Sequence, residues 1–79
     1  MVVYAITPRP DESAWLRYRL ELAGSGVTDV ARRLNMTHTV VSRVISGRRH
    51  SARIEAEIAR ILGYPGWNEM LKRLRTGAA

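Results

Sequence analysis

The stretch VTDVARRLNMTHTVVSRVIS, residues 27–46, holds two short amphipathic segments around a four-residue break, Asn35-Met36-Thr37-His38. Val27, Val30, Ala31 and Leu34 fall at i, i+3, i+4 and i+7, which puts them on one face of a helix. Val41, Val44 and Ile45 repeat that spacing in the second segment. Asn35 suits the left-handed backbone that stops a helix, and Thr37 is a good N-cap for the next one. Two helices locked at a steep angle by small and apolar contacts, a helix-turn-helix, have this spacing.

Working outward, the second helix of the chain is expected from about Thr28, which can cap it, to Asn35. The third is expected over about Thr37 to Ser46, with Gly47 as its stop. A first helix should run from about Asp11 to Ala23, capped by Asp11 or Ser13, with Asp11 and Glu12 at the positive end of its dipole. Leu16, Leu20 and Ala23 form its buried stripe, Trp15 or Tyr18 flank it, and Gly24-Ser25-Gly26 ends it. Residues 1–10 favour extended backbone, because Val2, Val3, Tyr4 and Ile6 prefer strand and Pro8 and Pro10 oppose helix. They make either a loose arm or a strand that pairs with another chain.

After the basic loop Arg48-Arg49-His50, a fourth helix opens at Ser51, places Ile54, Ile58, Ile61 and Leu62 on one face, and closes at Gly63. Tyr64-Pro65-Gly66 is a turn. A fifth helix from Trp67 to Arg75 offers Trp67, Met70, Leu71 and Leu74 for packing. The expected fold is therefore all-α, with an arm (1–10), a five-helix domain (11–75) and a frayed tail (76–79).

With 79 residues the chain makes one domain with a small core, so its stability rests on good helix packing. No stretch approaches the roughly 20 apolar residues of a membrane span. The start, MVVYAITPRP, lacks a basic leader, a long apolar core and a small-residue cleavage site, and so does not read as a signal peptide. The absence of cysteine excludes disulfides and thiolate zinc sites and fits a cytoplasmic protein. Nothing supports catalysis. His38 and His50 lack metal-ligand spacing, no phosphate-binding glycine loop occurs, and His38 with Ser42 has no third group to orient the histidine. Neither a cofactor nor a metal is expected.

The charge distribution is more informative. Between Arg32 and Arg53 lie six arginines (Arg32, Arg33, Arg43, Arg48, Arg49, Arg53) and no acid, so the net +6 of the chain belongs to that segment. Arginine pairs bidentately with phosphate and with guanine, and this clustering is an electrostatic footprint for nucleic acid. With Val41, Val44 and Ile45 inward, Thr39, Arg43 and Ser46 face outward on the third helix and Ser42 lies on the flank. Arg43 is the best placed to read guanine, with Thr37, His38, Thr39 and Ser42 as the other base-reading candidates. Val40, at the boundary, reads as core. Arg48, Arg49 and Arg53 are expected on the sugar-phosphate backbone, with Thr28 adding a contact at the start of the second helix. Arg32 and Arg33 divide equally between backbone contacts and solvent. Trp15 and Trp67 read as core anchors.

Residues 27–46 resemble the helix-turn-helix of the lambda-repressor/Cro-like superfamily. Ala31 stands at the tight helix contact, Leu34 before the turn, Met36 after it, and Val41 and Val44 inward, with Asn35 where glycine is usual. The longer run VSRVISGRRHSARIEAEIARILGYP is similar to small Ner-like regulators of Mu-like transposable phages and prophages. That resemblance covers about Leu16 to Leu71. It implies a repressor in the cytoplasm of a bacterial host, binding a double-stranded DNA operator through Thr37, His38, Thr39, Ser42 and Arg43. Such proteins often pair as homodimers on half-sites roughly 34 Å apart. The competing expectation is an adaptor or antitoxin-like module that uses the same fold to bind protein. The acid-free arginine segment favours DNA, because an adaptor need not concentrate charge there.

Overall fold

Five helices make up the computed structural model, which describes residues 4–77: α1 (Pro10–Leu22), α2 (Val27–Leu34), α3 (His38–Ile45), α4 (Ala52–Ile61) and α5 (Trp67–Arg75). No strand occurs among the described residues. The all-α reading holds, and each boundary has a local cause.

Helix α1 begins earlier than either cap candidate suggested. Pro10 takes the first helical position, where its fixed φ fits and its missing N–H costs nothing, and Arg9 is the N-cap. Glu12, three residues on, accepts the Arg9 N–H at 2.8 Å, so the carboxylate satisfies the start of the helix that a Ser or Asp cap was expected to serve. Thr28 is likewise not a cap: Gly26 is the N-cap of α2, and Thr28 sits within its first turn. Two other expectations hold. Asn35 adopts φ 54, ψ 46, and the Met36 N–H reaches back to the Ala31 carbonyl at 2.9 Å, which closes α2. Thr37 caps α3, its Oγ1 accepting from the Val40 N–H at 3.3 Å. Ser51 caps α4.

Leu16 and Leu20, Val30 and Ala31, Val41, Val44 and Ile45, Ile54 and Ile58, and Trp67, Met70 and Leu71 form one apolar cluster. Each fully buried aliphatic side chain stabilises the fold by about 1.5–3 kcal/mol. Helix α3 lies inside this arrangement, packed against α1, α2 and α4, so its inner face is over-determined while its outer face is left open. Ala23 is exposed rather than part of the α1 stripe; Glu12 and Ser13 extend that stripe instead. The Ser13 hydroxyl donates to the Ile45 carbonyl at 2.6 Å, tying α1 to the C-terminal end of α3. Ile61 and Leu62 are half-buried, and so is Val40, in agreement with its reading as core.

Over its described part the arm is not loose but tied down within the chain. Asn68 treats it as a neighbouring strand would: its Oδ1 accepts the Ile6 N–H at 2.8 Å and its Nδ2 donates to the Tyr4 carbonyl at 3.0 Å. The Trp67 indole N–H donates to the Ile6 carbonyl at 2.9 Å. Residues Val2 and Val3 lie outside the described residues. Further along, the arm runs against Gly47, which has φ +78; a Cβ there would stand 2.9 Å from both the Pro8 carbonyl oxygen and Thr7 Cγ2. Glycine is required on both counts, conformation and space. The tail begins with Thr76 as the C-cap of α5 and Gly77, and Ala78 and Ala79 are outside the described residues. No helix among the described residues is long and apolar enough to cross a membrane.

Candidate functional site

The outward side of α3 presents the residues that periodicity assigned to it. Thr37, His38, Thr39, Arg43 and Ser46 are exposed, and Ser42 is half-buried. His38, Thr39, Ser42, Arg43, Ser46 and Arg48 line one open depression. Of the sequence-predicted base-reading set, His38, Thr39, Ser42 and Arg43 are thus brought together, with Arg48 joining from the loop, whereas Thr37 caps α3 and does not line the depression.

One member of this site comes from a helix that sequence reasoning left out. Arg17, on α1, extends its Nη2 to Ser42 Oγ and to Ser46 Oγ, both at 3.0 Å. A signal for it exists. Ser13, Leu16, Arg17 and Leu20 share the i, i+3, i+4, i+7 pattern, so the arginine interrupts a buried stripe and must reach polar partners on a neighbouring element.

The arginines of the acid-free segment separate once folded. Arg33 is not available to a ligand in the way its sequence position suggests: it donates to Ser25 Oγ at 3.2 Å and lies 3.6 Å from Glu57, bracing α2 against α4. Arg32 stands 3.8 Å from Asp29, one turn back on its own helix. Arg43, Arg48, Arg49 and Arg53 are exposed and, among the described residues, unpaired with any carboxylate. Among the described residues those four positive charges therefore remain uncompensated. The exposed Thr28 lies at the start of α2, and a Cβ on the preceding Gly26 would meet Glu21 Oε1 at 2.5 Å. The Glu21 carboxylate therefore lies beside the N-cap of α2, and its negative charge weakens the case for Thr28 as a phosphate contact.

His50 has a structural task within the basic loop. Its Nδ1 is 2.9 Å from Oε2 of the buried Glu55, and its Nε2 is 3.1 Å from the Thr7 hydroxyl. The imidazole joins loop, α4 and arm, holding the backbone that carries Arg48 and Arg49.

Elsewhere several acids are paired with arginine. Glu12 accepts from Arg75 Nε at 2.9 Å and Nη2 at 3.0 Å, and Arg75 also donates to the Thr7 carbonyl. The Arg75 hydrogen bond holds the Glu12 carboxyl below its ordinary range, against the burial that would raise it. Glu57 is lowered in the same way, first by its hydrogen bond from Arg60 and less by Arg33. Among the described residues no group of His, Cys, Asp and Glu is assembled that could hold a metal ion.

The depression beside α3 is therefore rich in hydrogen-bonding groups and positive charge, and among the described residues no carboxylate lines it. It suits a polyanion that carries acceptors. No protein-family model, curated protein or solved structure matches this chain.

Proposed function

We propose that this protein is a sequence-specific DNA-binding transcriptional regulator that inserts α3 into the major groove. The observation that carries the reading is the set Arg43, Arg48, Arg49 and Arg53, exposed and, among the described residues, uncompensated beside the open polar face of α3. A duplex offers a phosphate backbone for the loop cations and acceptor-bearing base edges for the helix. In this reading α2 and α3 form a lambda-repressor-like helix-turn-helix. His38 and Thr39 lead at the N-terminal end of α3, Arg43 reads a guanine, and Arg48, Arg49 and Arg53 grip phosphates. The similarity to Ner-like phage regulators supports a repressor that occupies an operator in the bacterial cytoplasm. A homodimer on two half-sites is the assembly that fits an operator with two-fold symmetry.

A salt titration tests it. If Arg48, Arg49 and Arg53 each neutralise a phosphate, log K against log salt falls with a slope of at least about −2.7, from roughly 0.9 per contact. Binding to duplex DNA that is absent or indifferent to salt sinks the regulator and leaves the protein-adaptor reading in its place.

A further inference from the structure

We propose that Arg17 is a positioning residue that orients Ser42 and Ser46 to donate, biasing the C-terminal half of α3 towards the acceptor-rich edge of guanine. This rests on the DNA-binding reading above and adds to it a second determinant of base preference, placed on a different helix.

The argument starts from valence. A guanidinium carries five N–H donors and no acceptor, whereas a serine hydroxyl has one hydrogen and two acceptor positions. Arg17 Nη2 has two hydrogens and two partners, Ser42 Oγ and Ser46 Oγ, each at 3.0 Å. Each serine therefore commits one of its two acceptor positions to Arg17, keeps the other, and directs its hydrogen away from the guanidinium. Neither hydroxyl hydrogen is taken up by another group among the described residues. Both oxygens border the same open depression as Arg43 and Arg48. A cationic donor also polarises the hydroxyl it binds, which makes that hydroxyl a stronger donor in turn.

The complement follows from the major-groove edges. Guanine presents two acceptors, O6 and N7, while adenine and cytosine each present an amino donor. Among the described residues no carboxylate or carboxamide side chain lines the depression around Ser42, Ser46 and Arg43 to accept that donor. An amino group can reach only the single acceptor position that each hydroxyl keeps, next to the Arg17 cation that repels it, so it is the weaker partner. Arg43 supplies the bidentate contact, and the polarised hydroxyls penalise the wrong base beside it. The free serines, able to rotate, would tolerate either kind of edge.

Selection from a random duplex library, with the native chain and with Arg17→Met, tests this. The native chain is expected to select guanine at adjacent positions. Arg17→Met should lose about ten-fold of the guanine-over-adenine preference at one of them while keeping the salt slope and the thermal midpoint. Arg17→Lys, which retains a cationic donor, should recover most of the preference. Ser42→Ala should reproduce the loss, and the double variant Arg17→Met/Ser42→Ala should lose no more than either alone. A native chain with no salt-dependent DNA binding overturns the parent reading before any variant is compared. With native binding intact, two results overturn this inference alone: an unchanged base preference in Arg17→Met, or uniform weakening with the slope reduced by about 0.9, which would make Arg17 a phosphate contact. Should Arg17→Met fail to fold, Arg17→Lys and Ser42→Ala still decide the matter, since an unaltered guanine preference in Ser42→Ala refutes it.

Discussion

Two parts of this molecule are rich in arginine and behave oppositely. On the side of the arm and α5, Arg75 is locked on Glu12, and Arg73 pairs with Glu69 at 3.3 Å while lying over the Tyr64 ring. On the side of α3 and its following loop, Arg43, Arg48, Arg49 and Arg53 have no such partners among the described residues. In the first arrangement Arg75 is a clasp, because its planar fork answers the Glu12 carboxylate bidentately and fixes two segments far apart in sequence. The second keeps its charge for something outside the protein. What separates the two is where the acids lie in space, and a tally of basic residues along the chain does not reveal that.

The contrast can be broken or sharpened by substitution. Ile45 underlies both surfaces, being fully buried with its carbonyl accepting from Ser13. Ile45→Ala is expected to cost about 2–5 kcal/mol in urea denaturation and to disturb clasp and reading face together. Arg43→Ala should lose about 1–3 kcal/mol of binding to a selected operator, relax preference at one position, and leave stability within about 0.5 kcal/mol. Equal losses on selected and random DNA would refute its role as a reader. Glu12→Gln should act in the opposite sense, lowering folding stability by about 1–2 kcal/mol, since a charge-assisted pair is weakened, with little change in DNA affinity.

The same carboxyl gives the clasp a pH signature. Its ionisation in the folded chain lies below the ordinary value of 4.5, so the unfolded chain binds the proton more readily. The stability it contributes is complete above that value and is lost as pH falls through the folded one. Thermal midpoints followed below pH 5 should decline less steeply in Glu12→Gln than in the native chain. The smallest effect compares two arginines from the acid-free segment. Arg48→Ala should reduce the magnitude of the salt slope by about 0.9, whereas Arg33→Ala should leave it unchanged, because Arg33 already serves Glu57. A full unit lost in Arg33→Ala would erase the distinction between braced and free charge.

Much of the fold was legible because its causes are local. Asn35 and Thr37 mark the turn between α2 and α3 through their own backbone and side-chain preferences, and α5 occupies the residues its periodicity predicts. The outward set on α3 was legible for the same reason, since a 100° step fixes which residues share a face. The start of α1 was misjudged because Glu12 caps from inside the helix, and the role of Thr28 because Gly26 precedes it. The arm was undecided because its partners, Trp67, Asn68 and Arg75, are some sixty residues away.

Helix positions, the apolar stripes and the excess of arginine are consequences of spacing and composition, and residues 27–46 carry them in the chain itself. Which arginines are spent and which are free is a matter of distance between elements. Arg33 meets Glu57 only when α2 packs on α4, and Arg17 meets Ser42 only when α1 crosses α3. Charge pairing and hydroxyl polarity act over a few ångströms in three dimensions, so they exist only once those helices have come together.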